Sequence, residues 1–351
     1  MDRSKASRSY TSTRSRSWWW LSLLVVPIGT SCAPEAEPAQ SWDEGPASDR
    51  LATVERIREL GGTVSNRYFF EFEYGWGYPI VELGEGWRGG NDGLVRVASM
   101  DVIDELWLDN VGITDEGLRH LAGHKHLACL HCTSTEMTDV GLGYVGSVRG
   151  LRCVDINGKR VTDTGLEVLT KCPLIWLFVN NAPQVTDGGL VHVGKMTDLF
   201  ALRLTGTKIS GRGLAGLTKL VQLRELDLSA SPVNDAALVH LANFPRLRKV
   251  DLSRTQVRGP GLVHLREHDR LDEVVLDQTP ITADSLAYLA GLDTVSVISL
   301  AGTKIRPENL DVLWNLKNLR SVLVGGLVLR RPETSETTTS PRPAAQSAVS
   351  R

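Results

Sequence analysis

The sequence lacks the marks of several protein classes. Its longest apolar run, WWWLSLLVVPI at residues 18–28, is shorter than the roughly 20 residues that a membrane-spanning helix needs. Positive charge is not in excess, because 39 basic and 41 acidic residues give a formal net charge of −2. Residues 1–31 hold five basic residues and one acidic residue, so the rest of the chain is more acidic still. This balance argues against nucleic-acid binding, which requires a basic face.

Recognisable catalytic sets are also missing. We find no Ser/His/Asp set, no paired carboxylates and no phosphate-binding loop, so the sequence predicts neither an enzyme nor a cofactor site. Residues 84–89 (GEGWRG) match the letters of a dinucleotide-binding motif. That motif needs a helix directly after it, whereas residues 90–93 (GNDG) are expected to form a loop. We therefore expect no nucleotide site there.

The amino-terminal region has the organisation of an export signal. Residues 1–31 combine a basic start with the short apolar run, as a signal peptide does. Residues 29–32 (GTSC) resemble the lipobox of bacterial lipoproteins, although Gly29 stands where that pattern prefers leucine. The resemblance implies lipidation at Cys32 and a membrane-anchored protein of the bacterial cell envelope, periplasmic or on the surface. Plain secretion, an uncleaved anchor and a cytosolic chain stay open. Residues 32–50, rich in Pro, Ala and acidic residues, are expected to be a tether.

A period of about 24 residues organises the remainder. Each unit reads approximately LxxLxLxxTxITDxGLxxL. Alternating leucines predict a short strand with one buried face, and the Thr-Asp pair predicts the start of a short helix. Since no unit can bury its apolar face alone, the units must stack. The aligned units begin at Leu106, Leu130, Val154, Leu177, Leu202, Leu226, Val250, Val274, Ile298 and Val322.

This pattern resembles the leucine-rich repeat, in particular the repeats of bacterial envelope proteins and the cysteine-containing, ribonuclease-inhibitor-like class. The resemblance implies an α/β solenoid, shaped like a horseshoe, with a parallel inner β-sheet and short outer helices over residues 94–330. Similar repeats form the substrate-receptor part of F-box ubiquitin-ligase subunits. An intracellular adaptor is therefore an alternative, and a structural surface spacer is another.

Both ends of the repeats are expected to carry caps. Residues 51–93 are predicted to form an amino-terminal cap: a helix over 51–60, a strand over 68–74 and a turn at 75–77, as part of a hairpin. The last strand is predicted at 322–324. Residues 331–351 are polar and contain proline, and we expect them to be a disordered tail.

Cysteine and histidine spacings suggest sites that the repeat frame does not favour. Cys129 and Cys132 form a CxxC, but the frame places them on opposite faces of one strand. Cys129 and Cys153 instead share a repeat position one strand apart, about 4.8 Å, so a disulfide and two free thiols both stay open. Cys172 is expected to fill core space. His120 recurs as His192, His240 and His264, which indicates a helix surface rather than a metal site, so His120, His124 and His126 are not predicted to bind metal.

The concave sheet surface is the expected binding face. Aromatic residues concentrate on its first strands, and they are either a binding patch or side chains that pack on one another. Acidic residues follow, and they are either part of a site or a solvated face. We expect a monomer that binds a protein or a glycan. The candidate ligand-binding residues are Trp107, His131, Trp176, Phe178 and Arg203, and the acidic zone comprises Glu225, Asp227, Asp251, Glu273 and Asp277.

Overall fold

The structure, a computed structural model, describes residues 47–67, 78–109, 111–133 and 136–331. The predicted signal peptide, Cys32, most of the predicted tether, the strand predicted at 68–74, the turn predicted at 75–77 and residues 332–351 lie outside this range. Within it, no helix is both long enough and apolar enough to cross a bilayer.

The described strands form one sheet of thirteen strands that follow each other in chain order. Neighbours from β2 to β12 are parallel, whereas β1 and β13 run antiparallel at the two edges. The strands are β1 Thr63–Arg67, β2 Tyr78–Leu83, β3 Ile103–Leu108, β4 Leu127–Cys132, β5 Cys153–Asn157, β6 Trp176–Asn180, β7 Ala201–Thr205, β8 Glu225–Asp227, β9 Lys249–Asp251, β10 Glu273–Val275, β11 Val297–Ser299, β12 Ser321–Val324 and β13 Leu327–Arg330.

One helix of 13 residues precedes the sheet, and shorter helices connect the parallel strands on the outer side. The α-helices are α1 Ala47–Glu59, α2 Gly90–Ala98, α3 Asp115–Leu118, α4 Asp139–Val145, α5 Asp163–Val168 and α6 Leu190–Val193. From the seventh strand onward the outer helices are of the 3₁₀ type. The 3₁₀ helices are Arg119–Leu121, Leu169–Lys171, Arg212–Gly216, Asp235–Asn243, Pro260–Glu267, Ala283–Leu289 and Pro307–Asn315.

The core is a stack of equivalent leucines. Leu226 and Leu228 are buried, while the alternating Glu225 and Asp227 face the concave side. Because the strands pair in register, Leu226 lies beside Leu202 on one side and Val250 on the other. The repeat period thus produces a continuous apolar interior with parallel strands inside and helices outside, as predicted.

Hydrogen bonds to one aspartate connect adjacent repeats. The sequence pattern predicted for this aspartate only a position at the start of a helix. The Asp139 carboxylate accepts hydrogen bonds from the backbone N–H of Thr162 at 2.9 Å and from its Oγ1 at 2.6 Å. Thr162 Oγ1 in turn accepts a bond from the N–H of Thr164, which caps α5. The same connection links Asp115 with Thr138 and Asp163 with Thr186. Each aspartate therefore orders the helix start of the next repeat.

This connection requires a glycine two residues into the next helix. A Cβ at Gly165 would lie 2.3 Å from Asp139 Oδ1, which is closer than any van der Waals contact allows. Where the aspartate is replaced by Gly211, the residue 26 positions later is Ala237, and its methyl group occupies the space. The chain therefore pairs Asp with Gly, and Gly with a larger residue, across neighbouring repeats.

The amino-terminal cap differs from the prediction in two places. Helix α1 begins at Ala47, so the last residues assigned to the tether are helical. Residues 90–93, predicted as a loop, are the first turn of α2. A strand and a helix therefore flank the glycine-rich segment, but its glycines make room for Trp87. A Cβ at Gly89 or Gly93 would lie 2.3 or 2.4 Å from the Trp87 ring.

The carboxyl-terminal cap also corrects the prediction. Val322–Val324 is not the last strand, because Gly325 and Gly326, with φ of 57° and 79°, turn the chain back into β13. Two glycines in this conformation are typical of a tight hairpin turn. Arg331, assigned to the tail, is ordered, and its guanidinium donates to the carbonyl oxygens of Lys317 at 2.7 Å and Trp314 at 3.1 Å. It thereby satisfies carbonyls at the end of the last helix.

We expect Gly165→Ala to lower the free energy of unfolding by about 1–3 kcal/mol, because the new methyl group overlaps the Asp139 carboxylate. In the Asp139→Gly background the same change should cost much less, since that pair reproduces Gly211 and Ala237. The measurement is equilibrium denaturant unfolding of the four members of this cycle.

Gly143→Ala is the matched control, because nothing lies within 4 Å of the new Cβ on the exposed side of α4. That change should stabilise the chain by about 0.5–1 kcal/mol through helix propensity alone. Equal costs for Gly165→Ala in both backgrounds would contradict the pairing.

Candidate binding face

Two rows of side chains line the concave face, because parallel strands in register place equivalent residues side by side. One row holds the residues between the two buried positions of each strand: Trp107, His131, Asp155, Phe178, Arg203, Asp227, Asp251, Val275 and Ser299. The other row precedes it on each strand: Glu105, Cys129, Cys153, Trp176, Ala201, Glu225, Lys249, Glu273 and Val297.

Trp107 covers His131 instead of standing beside it. Their rings stack with centroids 3.7 Å apart and an interplanar angle of 8°. His131 is consequently 0% exposed, which corrects the expectation that it contributes to an exposed cluster. Its Nδ1 lies 3.7 Å from Oδ2 of Asp155, and Trp107 Nε1 donates to Glu105 Oε2 at 3.0 Å. The stacking on His131 and the hydrogen bond to Glu105 thus hold the Trp107 side chain in one orientation.

Phe178 has the same supporting role under Arg203. The Arg203 guanidinium lies 4.3 Å from the centre of the Phe178 ring, and Phe178 is only 8% exposed. Arg203 Nε also forms an ion pair with Asp227 at 3.1 Å. Of the five candidate residues, the structure therefore leaves Trp107, Trp176 and Arg203 partly accessible and buries His131 and Phe178 beneath them.

Cys129 and Cys153 are paired in register on adjacent strands, next to Trp176 in the same row. Both are free thiols in this structure, so the disulfide that the sequence leaves open is not formed. A hydrogen bond with the Cys129 thiol, together with burial, raises the pKa of Cys153. Cys132 lies in the core, where burial raises the pKa of its thiol. The two cysteines of the CxxC therefore serve different faces of β4.

The acidic zone includes a network of ionic interactions with basic side chains. Lys249 Nζ lies 2.8 Å from Glu273 Oε1. Burial raises the pKa of Glu225, although Lys249 and Arg203 oppose that shift. Burial and the neighbouring Asp227 raise the pKa of Asp251.

Asp277 lies one row further along the strands. Its carboxylate accepts bonds from Ser299 Oγ at 2.6 Å and from the N–H of Ala301 at 2.8 Å. Asp251 is buried, whereas the other four carboxylates of the acidic zone are partly exposed.

The remaining motifs have structural contacts. His124 Nε2 lies 2.8 Å from the carbonyl oxygen of Met100 in the previous repeat, and burial lowers the pKa of His124. Cys172 is buried, and its Sγ donates to the carbonyl oxygen of Val148 at 3.4 Å. In the part of the chain that the structure describes, no three His, Cys, Asp or Glu side chains converge as metal ligands.

Two surface depressions lie away from the concave face, on the turns that follow the strands. Their volumes are about 440 and 320 Å³, and both are lined by Asn234 and Ala236. Neither contains a residue of the two concave rows.

Comparison with known proteins identifies the fold. No family model and no curated protein matches the chain. Similar solved structures include an internalin (inlF) from Listeria monocytogenes, at a TM-score of 0.50 and 19% identity over 66% of this chain and 62% of that one. Internalin C2 from the same species matches at a TM-score of 0.45 and 22% identity over 60% of this chain and 83% of that one.

The first of these internalins is a bacterial leucine-rich-repeat protein, and the likeness to it shows that this chain has the leucine-rich-repeat solenoid fold. The chain spans about 62% of the length of the first internalin.

Two supporting residues were missed as site residues in the sequence. Glu105 and Asp155 hold Trp107 and His131, respectively. Both occupy the same two rows as the aromatic residues, so the repeat alignment contains the signal that places them together. The alignment does not show that Trp107 covers His131 or that Arg203 covers Phe178.

We expect Asp251→Asn to raise the free energy of unfolding at pH 7 and to have little effect near pH 3. The pKa of Asp251 is raised in the folded state above the ordinary value of 3.8, so ionisation costs the folded state at neutral pH. Below the ordinary value the carboxyl is protonated in both states, and the difference vanishes. Asn keeps an oxygen that can accept the bond from the N–H of Ser253. Denaturant unfolding at both pH values provides the measurement.

Asp227→Asn is the matched control, since Asp227 also accepts a bond from the N–H two residues later but is paired with Arg203. This change should lower stability at pH 7 by up to about 1 kcal/mol. The interpretation fails if both variants are equally destabilised.

Proposed function

We propose that this chain is a non-enzymatic binding module of the bacterial cell envelope that recognises a protein partner through its concave face. The observation that carries the proposal is a pair of partly exposed indole rings, Trp107 and Trp176, on the inner sheet of a solenoid. Tryptophan is enriched among the residues that dominate binding energy at protein interfaces.

The orientation of Trp107 is set before any partner arrives. Stacking on His131 and the hydrogen bond to Glu105 restrict both side-chain torsions of Trp107. A side chain that is already ordered loses little conformational entropy on binding, so more of its contact energy contributes to affinity.

Charged groups beside the indoles supply specificity. Arg203 is stacked on Phe178 and paired with Asp227, yet part of its guanidinium stays accessible. Arg203 follows the aromatic residues in the row, and the partly exposed Asp155 lies between His131 and Phe178, so the patch offers both a donor and an acceptor. Aromatic residues and arginine are enriched at protein interfaces.

The envelope location is inferred from the amino-terminal sequence. The basic start, the apolar run at 18–28 and the GTSC segment support export and lipidation at Cys32. The segment after Cys32, which is rich in Pro, Ala and acidic residues, would serve as a tether and let the concave face meet its partner as a monomer.

We expect Cys32→Ala to abolish incorporation of a labelled fatty acid into the chain and to leave the chain with its signal peptide attached. The check is metabolic labelling followed by mass spectrometry of the amino terminus. Cys129→Ala, on the concave face, is the control and should be labelled like the parent. Label retained by the Cys32→Ala chain would exclude this anchor.

The binding face is tested by in-cell photo-crosslinking from position 176, with a photoreactive phenylalanine in place of Trp176. We expect one discrete crosslinked protein, lost when Trp107 and Arg203 are replaced by alanine. The control position is Val191, an outer-helix residue that is 66% exposed. A crosslinked glycan would change the partner class.

No adduct at 176, or the same adduct from both positions, would contradict recognition by the concave face. A folded, abundant chain without an adduct at 176 would favour a structural spacer.

A further inference from the structure

One edge of the solenoid carries a charge opposite to that of the chain. Along this edge the chain passes from each outer helix into the next strand. In residues 123–126, 146–152, 170–175, 194–200, 217–224 and 242–248, nine basic residues accompany a single acidic one, Asp198. We call these nine residues the basic edge: Lys125, Arg149, Arg152, Lys171, Lys195, Lys219, Arg224, Arg246 and Arg248.

Backbone hydrogen bonds show that these segments are neighbours in space. The N–H of Arg152 donates to the carbonyl oxygen of Ala128, that of Arg224 to Phe200 and that of Arg248 to Arg224, each at 2.8 Å. Because β4 to β9 are parallel, all six segments lie at the same end of their strands. At a strand spacing of about 4.8 Å, the basic edge extends over roughly 24 Å.

The basic edge is not neutralised within the chain. Among the described residues, none of its nine members forms a salt bridge, and all but the half-buried Arg224 are exposed. Arg224 stacks on Phe200 at 4.3 Å. Burial is the main cause that lowers the pKa of Arg224, and the guanidinium groups of Arg248, Arg246 and Arg270 lower it further. Like charges held this closely without counterions favour the approach of an anion.

We propose that the basic edge docks the solenoid on an anionic membrane surface. A bilayer is a plane of negatively charged headgroups, and it can reach all six turns at once because they lie along one edge. Exposed apolar residues stand among the cations, including Val221, which is 45% exposed, and Pro173 and Pro245. Cationic groups with interspersed apolar side chains suit the boundary between headgroups and acyl chains.

The docked orientation would leave the concave face accessible. The basic edge lies at the ends of the strands, whereas Trp107 and Trp176 project from the face of the sheet. Asp269 and Asp272 in the next repeat end the basic run. Docking is independent of lipidation at Cys32, so it can be tested apart from the proposed function.

The test is co-sedimentation of the full chain with phosphatidylcholine vesicles that contain increasing fractions of phosphatidylglycerol. The edge variant carries R149Q, R152Q, R246Q and R248Q, and it keeps Arg224 because of its stacking on Phe200. Each cation near an anionic surface contributes roughly a fivefold factor in binding, so we expect a loss of about 100-fold or more. Added salt should weaken the parent chain in the same direction.

The matched control carries K159Q, K208Q, R212Q and K304Q at the opposite edge: three exposed lysines on the turns that follow the strands and the exposed Arg212 at the start of a 3₁₀ helix. It has the same net charge as the edge variant and should bind within a few-fold of the parent. Thermal unfolding of both variants verifies that they are folded.

Equal binding of the edge variant and the control would overturn the proposal, because affinity would then come from net charge or from residues 1–31. It would also be overturned if the edge bound a soluble polyanion such as dextran sulfate but no vesicles, since the partner would then be a linear polyanion. Dimerisation through the basic edge, measured by light scattering without lipid, would also overturn the proposal, because the partner of this edge would then be a second copy of the chain.

Discussion

The structure depends on the hydrogen bonds by which one repeat's aspartate holds the helix start of the next. The Asp139 carboxylate accepts from both the backbone and the hydroxyl of Thr162, and that hydroxyl then caps α5. Apolar burial between repeats is larger in total but has no direction, whereas this connection specifies how far each repeat is offset from its neighbour. It is available only where the next helix has a glycine, as at Gly165. Two positions 26 residues apart therefore constrain each other in successive repeats, from Asp115 and Gly141 to Gly259 and Ser285.

That fixed offset explains why surface side chains fall into rows. Strands held in register place every equivalent residue about one strand spacing from the next, so equivalent side chains on neighbouring strands can contact each other. On the concave face these contacts are stacking interactions and an ion pair: Trp107 stacks on His131, Arg203 stacks on Phe178, and Arg203 also pairs with Asp227. None of these contacts joins residues close in sequence. They exist because the repeat converts a separation of about 24 residues into adjacency.

The repeat architecture could be predicted from the sequence because one pattern recurs many times, and each copy states the same strand, turn and helix. The irregular parts were predicted less well, since no second copy corrects a local misinterpretation. Residues 90–93 contain two glycines and were expected to be a loop, but Trp87 packs on that backbone and the segment begins a helix. The burial of His131 could not be predicted either. Its row position was correct, but its exposure depends on the rotamer of Trp107, which only packing decides.

The net charge of −2 was the least informative quantity in the sequence. It was used to argue that the chain has no basic face, yet a sum over the chain does not depend on where the charges lie. The 24-residue period separates the two signs of charge. Acidic residues such as Asp227 and Glu273 occupy strand positions, whereas basic residues such as Arg224 and Arg248 come just before strands. A repeat protein can therefore carry an acidic face and a basic edge while remaining nearly neutral. Such a chain has two separate surfaces, and in our two proposals one of them selects a partner while the other sets the orientation in which the partner is met.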